Sequence, residues 1–216
     1  MNLPEIQTDD VLRKHEFPVC RDKVYLAHAG VSPLPACVTQ AVKEKAEKAA
    51  LNDQEEGLAE LLRITRKRAA QLLGADTSEV ALIGPTTAGL SAVAAGLDWQ
   101  EGDEILVYRD CFPVNVYPWQ ALESRGVKVR WLQTPELGQI TPELVAENLT
   151  DQTRLVALAS CHFVSGWRID HDAIGRVLRE REVLFCLDAI QTLGAFPTTV
   201  EHVDFLAADA HKWMLG

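Results

Sequence analysis

The sequence predicts an α/β fold built on a mostly parallel sheet with helices on both faces. Two observations support this prediction. Short apolar runs alternate along the chain with segments of helical periodicity, and the runs are continuously apolar, as expected of strands covered on both sides. The runs are VALI from Val80, EILVY from Glu104, VKVRWL from Val127, RLVALAS from Arg154, VLFCLD from Val183 and VDFLAAD from Val203.

Helix signals lie between these runs. The longest helical stretch covers residues 36–73, with a break expected at 52–57, and its mixed charges indicate a solvated amphipathic surface. Thr141, followed by a proline, has the pattern of an N-cap, and Asp170 precedes a helix with basic residues near its end. We expect one α/β domain, residues 36–216, preceded by an N-terminal arm, residues 1–35.

Composition excludes several functional classes. The 216 residues are 47% hydrophobic and 24% charged, which is ordinary for a globular protein. The net charge of −10 argues against binding to nucleic acid, whose phosphates attract basic surfaces. The start, MNLPEIQTDD, lacks the pattern of a secretory signal, and no apolar run is long enough to span a membrane, so we expect a cytoplasmic protein.

The five cysteines do not form a metal or disulfide pattern. They are odd in number and scattered, and none is spaced as C-x-x-C, which predicts free and mostly buried thiols. These residues are Cys20, Cys37, Cys111, Cys161 and Cys186.

Ligands of open α/β sheets bind at the carboxyl ends of the strands, so the residues that follow each run are candidates for a site. After VALI, a glycine-proline turn places Thr86 and Thr87 at a helix start. Free backbone N–H groups, two hydroxyls and the positive helix end could bind a phosphate. The segment lacks the lysine of a P-loop, and a threonine-capped helix without a ligand is the alternative.

Two aromatic side chains follow the next strand runs. Phe112 comes after EILVY and is either a core aromatic or a ring that stacks on a flat cofactor. His162 comes after RLVALAS and is either a hydrogen-bonded, partly buried histidine or a functional one.

Charged residues follow the last two runs. Asp188 ends an apolar strand, where an unpaired carboxylate is costly to bury, so it either caps the next turn or meets a cationic ligand such as a pyridinium nitrogen. Asp209, His211 and Lys212 follow the final run, and an amine in such a crevice can lose its charge and become a nucleophile.

A phosphate cradle, a stacking ring, a carboxylate for a pyridine nitrogen and a lysine for an aldehyde together match pyridoxal 5′-phosphate. The sequence also resembles the class V branch of fold-type I pyridoxal-phosphate enzymes, which includes cysteine desulfurases, kynureninase and isopenicillin-epimerase-like proteins. The motifs with this resemblance are YLAHAGVSPLP, PTTAGL, CFPVNVYPW, SGWRID, LDAIQTLGAF and DAHKWMLG, of which the last two are the most specific. This resemblance implies the three-layer α-β-α large domain of fold-type I enzymes.

The resemblance implies roles for the catalytic and ring-binding residues. Lys212 would form the internal aldimine and later move the α-proton, and Asp188 would keep the pyridine nitrogen protonated. Gln191 would lie near the phenolic oxygen of the cofactor. Phe112 would stack on the ring at the place where desulfurases usually carry histidine.

The resemblance assigns the remaining candidates less directly. Thr86 and Thr87, with Asp209 and His211, would hold the phosphate. His162 stands where the family commonly has asparagine or glutamine near the phenolic oxygen. His28 would belong to a loop that faces the substrate.

The family continues beyond the lysine motif into a small C-terminal domain that is absent after Gly216, so we expect a truncated enzyme with weak cofactor binding and little turnover. The resemblance also implies an amino acid substrate and a homodimer in the full-length protein. Two alternatives remain open. One is a cysteine desulfurase or selenocysteine lyase, and the other is a non-catalytic α/β module that binds a phosphate ligand.

Overall fold

The computed structural model describes residues 3–216 and contains a five-stranded parallel sheet with strand order β2-β1-β3-β4-β5. All neighbouring strands pair in parallel. The strands are Glu104–Tyr108 (β1), Lys128–Leu132 (β2), Thr153–Ala159 (β3), Leu184–Asp188 (β4) and Phe205–Ala207 (β5).

Helices precede and connect the strands. The α-helices are Leu3–Thr8 (α1), Asp10–Glu16 (α2), Ala36–Leu51 (α3), Leu58–Leu73 (α4), Thr86–Gly96 (α5), Tyr117–Gln120 (α6), Pro142–Asn148 (α7) and His171–Glu180 (α8). Short 3-10 turns cover Pro18–Arg21, Thr77–Glu79, Pro113–Asn115 and Ala121–Arg125. Within residues 3–216, none of the helices combines the length and apolar character that a membrane span requires.

The core lies on both faces of the sheet, because successive strand residues point to opposite sides. On one face, Leu106 and Phe185 pack with Ile174 of α8. On the other face, Ile105 and Ala157 pack with buried residues of α5 and α6. The fold is therefore the predicted three-layer α-β-α sandwich with a parallel sheet.

Most of the predicted elements are confirmed. The long helical stretch divides into α3 and α4, and Gly57, in the left-handed conformation, is the N-cap of the second helix, which agrees with the predicted break. The side chain of Thr141 accepts the N–H of Leu144, and that of Asp170 accepts the N–H of Ala173, so both predicted N-caps are present.

The predicted strand at VALI, residues 80–83, is wrong. The segment has no strand pairing in the described part of the chain, and Ile83 is more than half exposed. A cavity of about 440 Å³ lies between this segment and residues Leu206 and Ala207 of β5. Apolar β-branched residues alone do not make a strand, because a strand also needs a neighbouring backbone to pair with.

The helix α3 begins at Ala36, where the sequence predicted the start of the large domain. The preceding residues 3–35 contain two short helices and an irregular segment that reaches the carboxyl edge of the sheet. The division into an arm, residues 1–35, and a domain, residues 36–216, stays a prediction.

Alanine at Gly138 should cost more stability than alanine at Gly166, because Gly138 packs closely against His162. Gly138 has φ of +79°, and a Cβ built there would lie 2.5 Å from the Cβ of His162. Gly166 has a similar φ of +73° but nothing within 4 Å of a Cβ. Alanine at either position costs about 1 kcal/mol for the left-handed backbone, and at Gly138 we expect roughly 2 kcal/mol more from overpacking.

Urea unfolding of Gly138→Ala and Gly166→Ala measures this difference. Because the two backbones are alike, Gly166→Ala is the matched control. Equal losses of unfolding free energy in the two variants would show that His162 does not restrict the Gly138 position.

Candidate functional site

A cavity of about 320 Å³ opens at the carboxyl end of the sheet, where loops from several strands meet. It lies between the ends of β3 and β4, the start of α5 and the segment after β5. Eight of the ten residues singled out in the sequence line it: Thr86, Thr87, Phe112, Asp188, Gln191, Asp209, His211 and Lys212. His28 and His162 do not.

Lys212 is the amine of this cavity. It is only 8% exposed, and burial lowers its pKa, while the negative charges of Asp188 and Asp209 oppose that shift. Its Nζ lies 5.7 Å from the centre of the Phe112 ring. A lowered pKa increases the fraction of the neutral amine, which is the form that attacks a carbonyl carbon.

Asp188 ends β4 and is 2% exposed. Its Oδ1 accepts the N–H of Ile190 at 3.1 Å, so the carboxylate caps the next turn while it also lines the cavity. Burial raises the pKa of Asp188 to about 6, and the Ile190 hydrogen bond and the charge of Lys212 counteract part of that rise. The side chain therefore favours a positive or hydrogen-bond-donating ligand.

The N-terminus of α5 forms a third side of the cavity. Thr86 is 5% exposed, and its Oγ1 has no hydrogen-bond partner within residues 3–216. The Thr86 N–H donates to Asp209 Oδ1 at 3.0 Å, and Asp209 Oδ2 lies 3.7 Å from His211 Nδ1. A carboxylate thus already uses the helix N-terminus in the way an anionic ligand would.

The N-terminal segment closes the cavity over Lys212. Residues 29–31 contribute to its wall. The buried Ser32 donates its N–H to the carbonyl of His211 at 2.9 Å and its hydroxyl to the carbonyl of Lys212. The backbone on both sides of the lysine is therefore held by a residue 180 positions earlier in the chain.

Gln191 links the same segment to the lysine loop. Its Nε2 donates to the carbonyl of Ala29 at 3.0 Å, and its Oε1 accepts from Trp213 Nε1 at 3.3 Å. His28 stacks on Trp213 with ring centres 5.0 Å apart and an interplanar angle of 16°. His28 thus stacks on a residue that hydrogen-bonds to Gln191 of the cavity wall, and neither His28 nor Trp213 lines the cavity itself.

An aromatic pair stands at the mouth of the cavity. Phe112 is 44% exposed, so it is not a core aromatic. It meets Phe163 edge to face, with ring centres 5.3 Å apart and an interplanar angle of 81°. Phe163 also lines the cavity, although nothing in the sequence distinguished it from its neighbours.

His162 lies behind this pair and is buried. Its ring contacts Asp110 and Ser165 through hydrogen bonds, and Cys161 and Phe163 on either side of it line the cavity instead. The structure thus favours the hydrogen-bonded alternative for this histidine over a direct contact in the cavity.

Sequence reasoning missed Ser32, Phe163, Trp213 and the two cysteines of the wall, Cys111 and Cys161. Burial raises the pKa of Cys111 to about 12, with a further rise from the charge of Asp188. The pKa of Cys161 is also raised by burial. Both thiols are therefore protonated at neutral pH.

The chain is similar to several known proteins. A probable cysteine desulfurase of Methanothermobacter thermautotrophicus is 31% identical over 219 residues, which cover 98% of this chain and 54% of the relative. The uncharacterized aminotransferase YcbU of Bacillus subtilis is 29% identical over 206 residues, 93% of this chain and 54% of its own. The chain spans about half the length of the curated relatives it matches.

A solved structure has the same fold. The cystine C-S lyase C-DES in complex with its reaction product cysteine persulfide superposes with a TM-score of 0.85 at 25% identity, over 93% of this chain and 56% of that one. The family model for aminotransferase class-V matches residues 24–216, and that range includes every wall of the cavity. The chain therefore belongs to the class-V aminotransferase family.

Proposed function

We propose that this chain is the cofactor-binding part of a pyridoxal 5′-phosphate-dependent enzyme that acts on an amino acid. The observation that carries the proposal is the placement of Lys212, Asp188 and the α5 N-terminus around one cavity. When bound, the cofactor supplies an aldehyde carbon and a protonated ring that accepts electrons from the substrate. Each group of the cofactor has a fitting protein partner in this cavity.

Asp188 suits the ring nitrogen. Its carboxylate is desolvated, and one backbone N–H satisfies only part of its hydrogen-bonding capacity. A pyridinium N–H would donate to it and would favour its ionised form. In return, the carboxylate would keep the ring nitrogen protonated, which the electron-accepting role requires.

Lys212 suits the aldehyde and the proton transfer that follows. Its Nζ would hold the aldehyde carbon covalently, with loss of water, and it is also the group placed to carry a proton to or from the substrate α-carbon. The hydrogen bonds of Ser32 to the carbonyls of His211 and Lys212 would hold the lysine backbone in position during these steps.

Thr86, Thr87 and the α5 N-terminus suit the phosphate. The unpartnered, buried Oγ1 of Thr86 would donate to a phosphate oxygen. Asp209 now accepts the Thr86 N–H, so phosphate binding would require this carboxylate to turn toward His211. The His211 ring would then be the hydrogen-bond partner of Asp209.

The remaining groups and partners follow from the same proposal. Phe112 would stack on the cofactor ring, and Gln191 would lie near its phenolic oxygen. His28, held against Trp213, would belong to the substrate side of the site.

Residues 36–216 would form the large domain of a cytoplasmic homodimer. Exposed leucines on α4, such as Leu61 and Leu62, would suit burial against a second subunit.

A cysteine desulfurase is the second candidate, and the 31% identity to a probable cysteine desulfurase favours it. Its chemistry needs a thiolate that accepts sulfur from the substrate. Because Cys111 and Cys161 have raised pKa values, neither suits this task. A desulfurase would therefore need a nucleophile from outside the described cavity.

Covalent capture of the cofactor tests the main proposal. The purified chain is incubated with pyridoxal phosphate, reduced with borohydride and analysed by peptide mass spectrometry. We expect the label at Lys212, because its amine lies in the cavity and burial lowers its pKa, and loss of that label in Lys212→Ala. Lys128→Ala, at an exposed strand position, is the control and should keep the label.

Other outcomes separate the alternatives. Labelling spread over surface lysines would contradict the proposed site. Reversible binding of pyridoxal phosphate that survives Lys212→Ala, without any covalent label in the wild-type chain, would support a non-catalytic phosphate-binding module.

The raised pKa of Asp188 predicts a pH-dependent stability. Between about pH 4 and about pH 6, the unfolded chain has lost the Asp188 proton while the folded protein keeps it, so this group's contribution to stability falls as pH rises. Relative to Asp188→Asn, which does not titrate, the wild type should lose about 2–3 kcal/mol of unfolding free energy across this window.

Urea unfolding of both proteins at several pH values measures this difference, and Asp151→Asn, on an exposed turn, is the control. A constant difference between wild type and Asp188→Asn across the window would contradict the raised pKa. Saturating pyridoxal phosphate should reduce the pH dependence, because the carboxylate then has a positive partner.

We expect little turnover of amino acids by the 216-residue chain, since it spans about half the length of its relatives. The chain loaded with pyridoxal phosphate is incubated with cysteine and with alanine, and sulfide, alanine and pyruvate are measured. Rapid turnover of either substrate would contradict this expectation. Alanine as product, with sulfur that is released as sulfide only when a thiol reductant such as dithiothreitol is added, would indicate a desulfurase, whereas sulfide with pyruvate and ammonia would indicate a C–S lyase.

A further inference from the structure

We propose that His162 is a positioning residue that sets the orientation of the Phe112 ring by joining the loop after β1 to the loop after β3. The inference rests on the proposed cofactor site, because the Phe112 ring is the surface on which the cofactor would stack. His162 itself does not reach the cavity.

The hydrogen bonds of the ring define its tautomer. The backbone N–H of Ser165 donates to Nδ1 at 3.1 Å, so Nδ1 is an acceptor. In the neutral ring the proton is then on Nε2, which donates to the carbonyl of Asp110 at 2.9 Å. Both ring nitrogens are satisfied, one within the β3 loop and the other across to the β1 loop.

This bridge lies next to both rings of the aromatic pair. Asp110 is two residues before Phe112, and Phe163 directly follows His162. The two phenylalanine rings meet edge to face at 5.3 Å, and Phe112 faces the Lys212 amine at 5.7 Å. A change in the distance between the two loops would therefore displace the ring that faces the lysine.

The loop after β2 prevents the imidazole from turning away. Gly138 packs directly against His162, and any Cβ there would collide with it. Tyr108 contacts the imidazole with ring centres 5.9 Å apart, and its hydroxyl accepts the N–H of Gly138 at 3.0 Å. Loops from three neighbouring strands thus enclose the imidazole. It is linked toward the cavity by the hydrogen bond to Asp110 and by contact with the Phe163 ring, whose centre is 5.1 Å away.

Two substitutions separate the two hydrogen bonds of the ring. Asparagine keeps an acceptor near the place of Nδ1 but is too short to reach the Asp110 carbonyl, whereas glutamine keeps an N–H donor near the place of Nε2. His162→Asn should therefore release the β1 loop, and His162→Gln should largely retain it. Ser165→Ala is the matched control, since it removes the hydroxyl that hydrogen-bonds to Nδ1 of the imidazole and leaves the bond from Nε2 to Asp110 in place.

The probe is 4′-deoxypyridoxine 5′-phosphate, which lacks the aldehyde and so binds independently of covalent attachment to Lys212. We expect His162→Asn and Phe112→Ala each to weaken its binding by about three- to tenfold, the range of an aromatic contact. The double variant should bind no more weakly than Phe112→Ala alone, because His162 acts through that ring. Effects that multiply in the double variant would overturn the proposal.

A second readout does not depend on the cofactor. With 4-fluorophenylalanine incorporated at position 112, fluorine NMR should show a shifted or broadened resonance in His162→Asn and a nearly native one in His162→Gln and Ser165→Ala. An unchanged resonance in His162→Asn would overturn the positioning role. Absence of probe binding by the wild type, with the expected NMR change, would instead refute the proposed cofactor site alone.

Discussion

The carboxylate of Asp188 is buried at the end of a strand, and its neighbours must supply hydrogen-bond donors or positive charge to stabilise it. Desolvation disfavours its charge, and among residues 3–216 one backbone N–H and the nearby Lys212 amine offset part of this cost. Burial likewise disfavours the charged form of Lys212, which is the ammonium ion. Each group partly stabilises the charge of the other. A ligand with a positive group beside Asp188 and an electrophilic carbon beside Lys212 would further reduce the cost of burying both side chains.

The parallel sheet brings these groups together. Asp188 ends β4, Lys212 follows β5, and Phe112 follows β1. Because parallel strands end at the same edge, residues 100 positions apart in the chain meet without any long loop between them. The two hydrophobic clusters on the faces of the sheet hold the strand ends rigidly, so the polar groups at the edge do not have to contribute to the core.

Much of this could be predicted from the sequence, because strand and helix signals are local. The five strands of the sheet and the caps at Thr141 and Asp170 were evident from short patterns. The strand predicted at 80–83 failed because pairing depends on what lies beside a segment. Phe163 and Ser32 were missed for a similar reason, since their roles depend on contacts with residues far away in the chain.

The same dependence on distant contacts explains why the lysine site needs the N-terminal segment. Ser32 bonds to the carbonyls on both sides of the Lys212 peptide unit, and Gln191 ties Ala29 to Trp213. The lysine loop has a hydrogen bond of its own, from the Gly216 N–H to the Ala210 carbonyl at 2.9 Å, and the two bonds of Ser32 add to it. Its geometry therefore depends in part on a segment that precedes the sheet in the chain, and release of that segment would both open the cavity and remove two of the hydrogen bonds that hold the backbone of the amine.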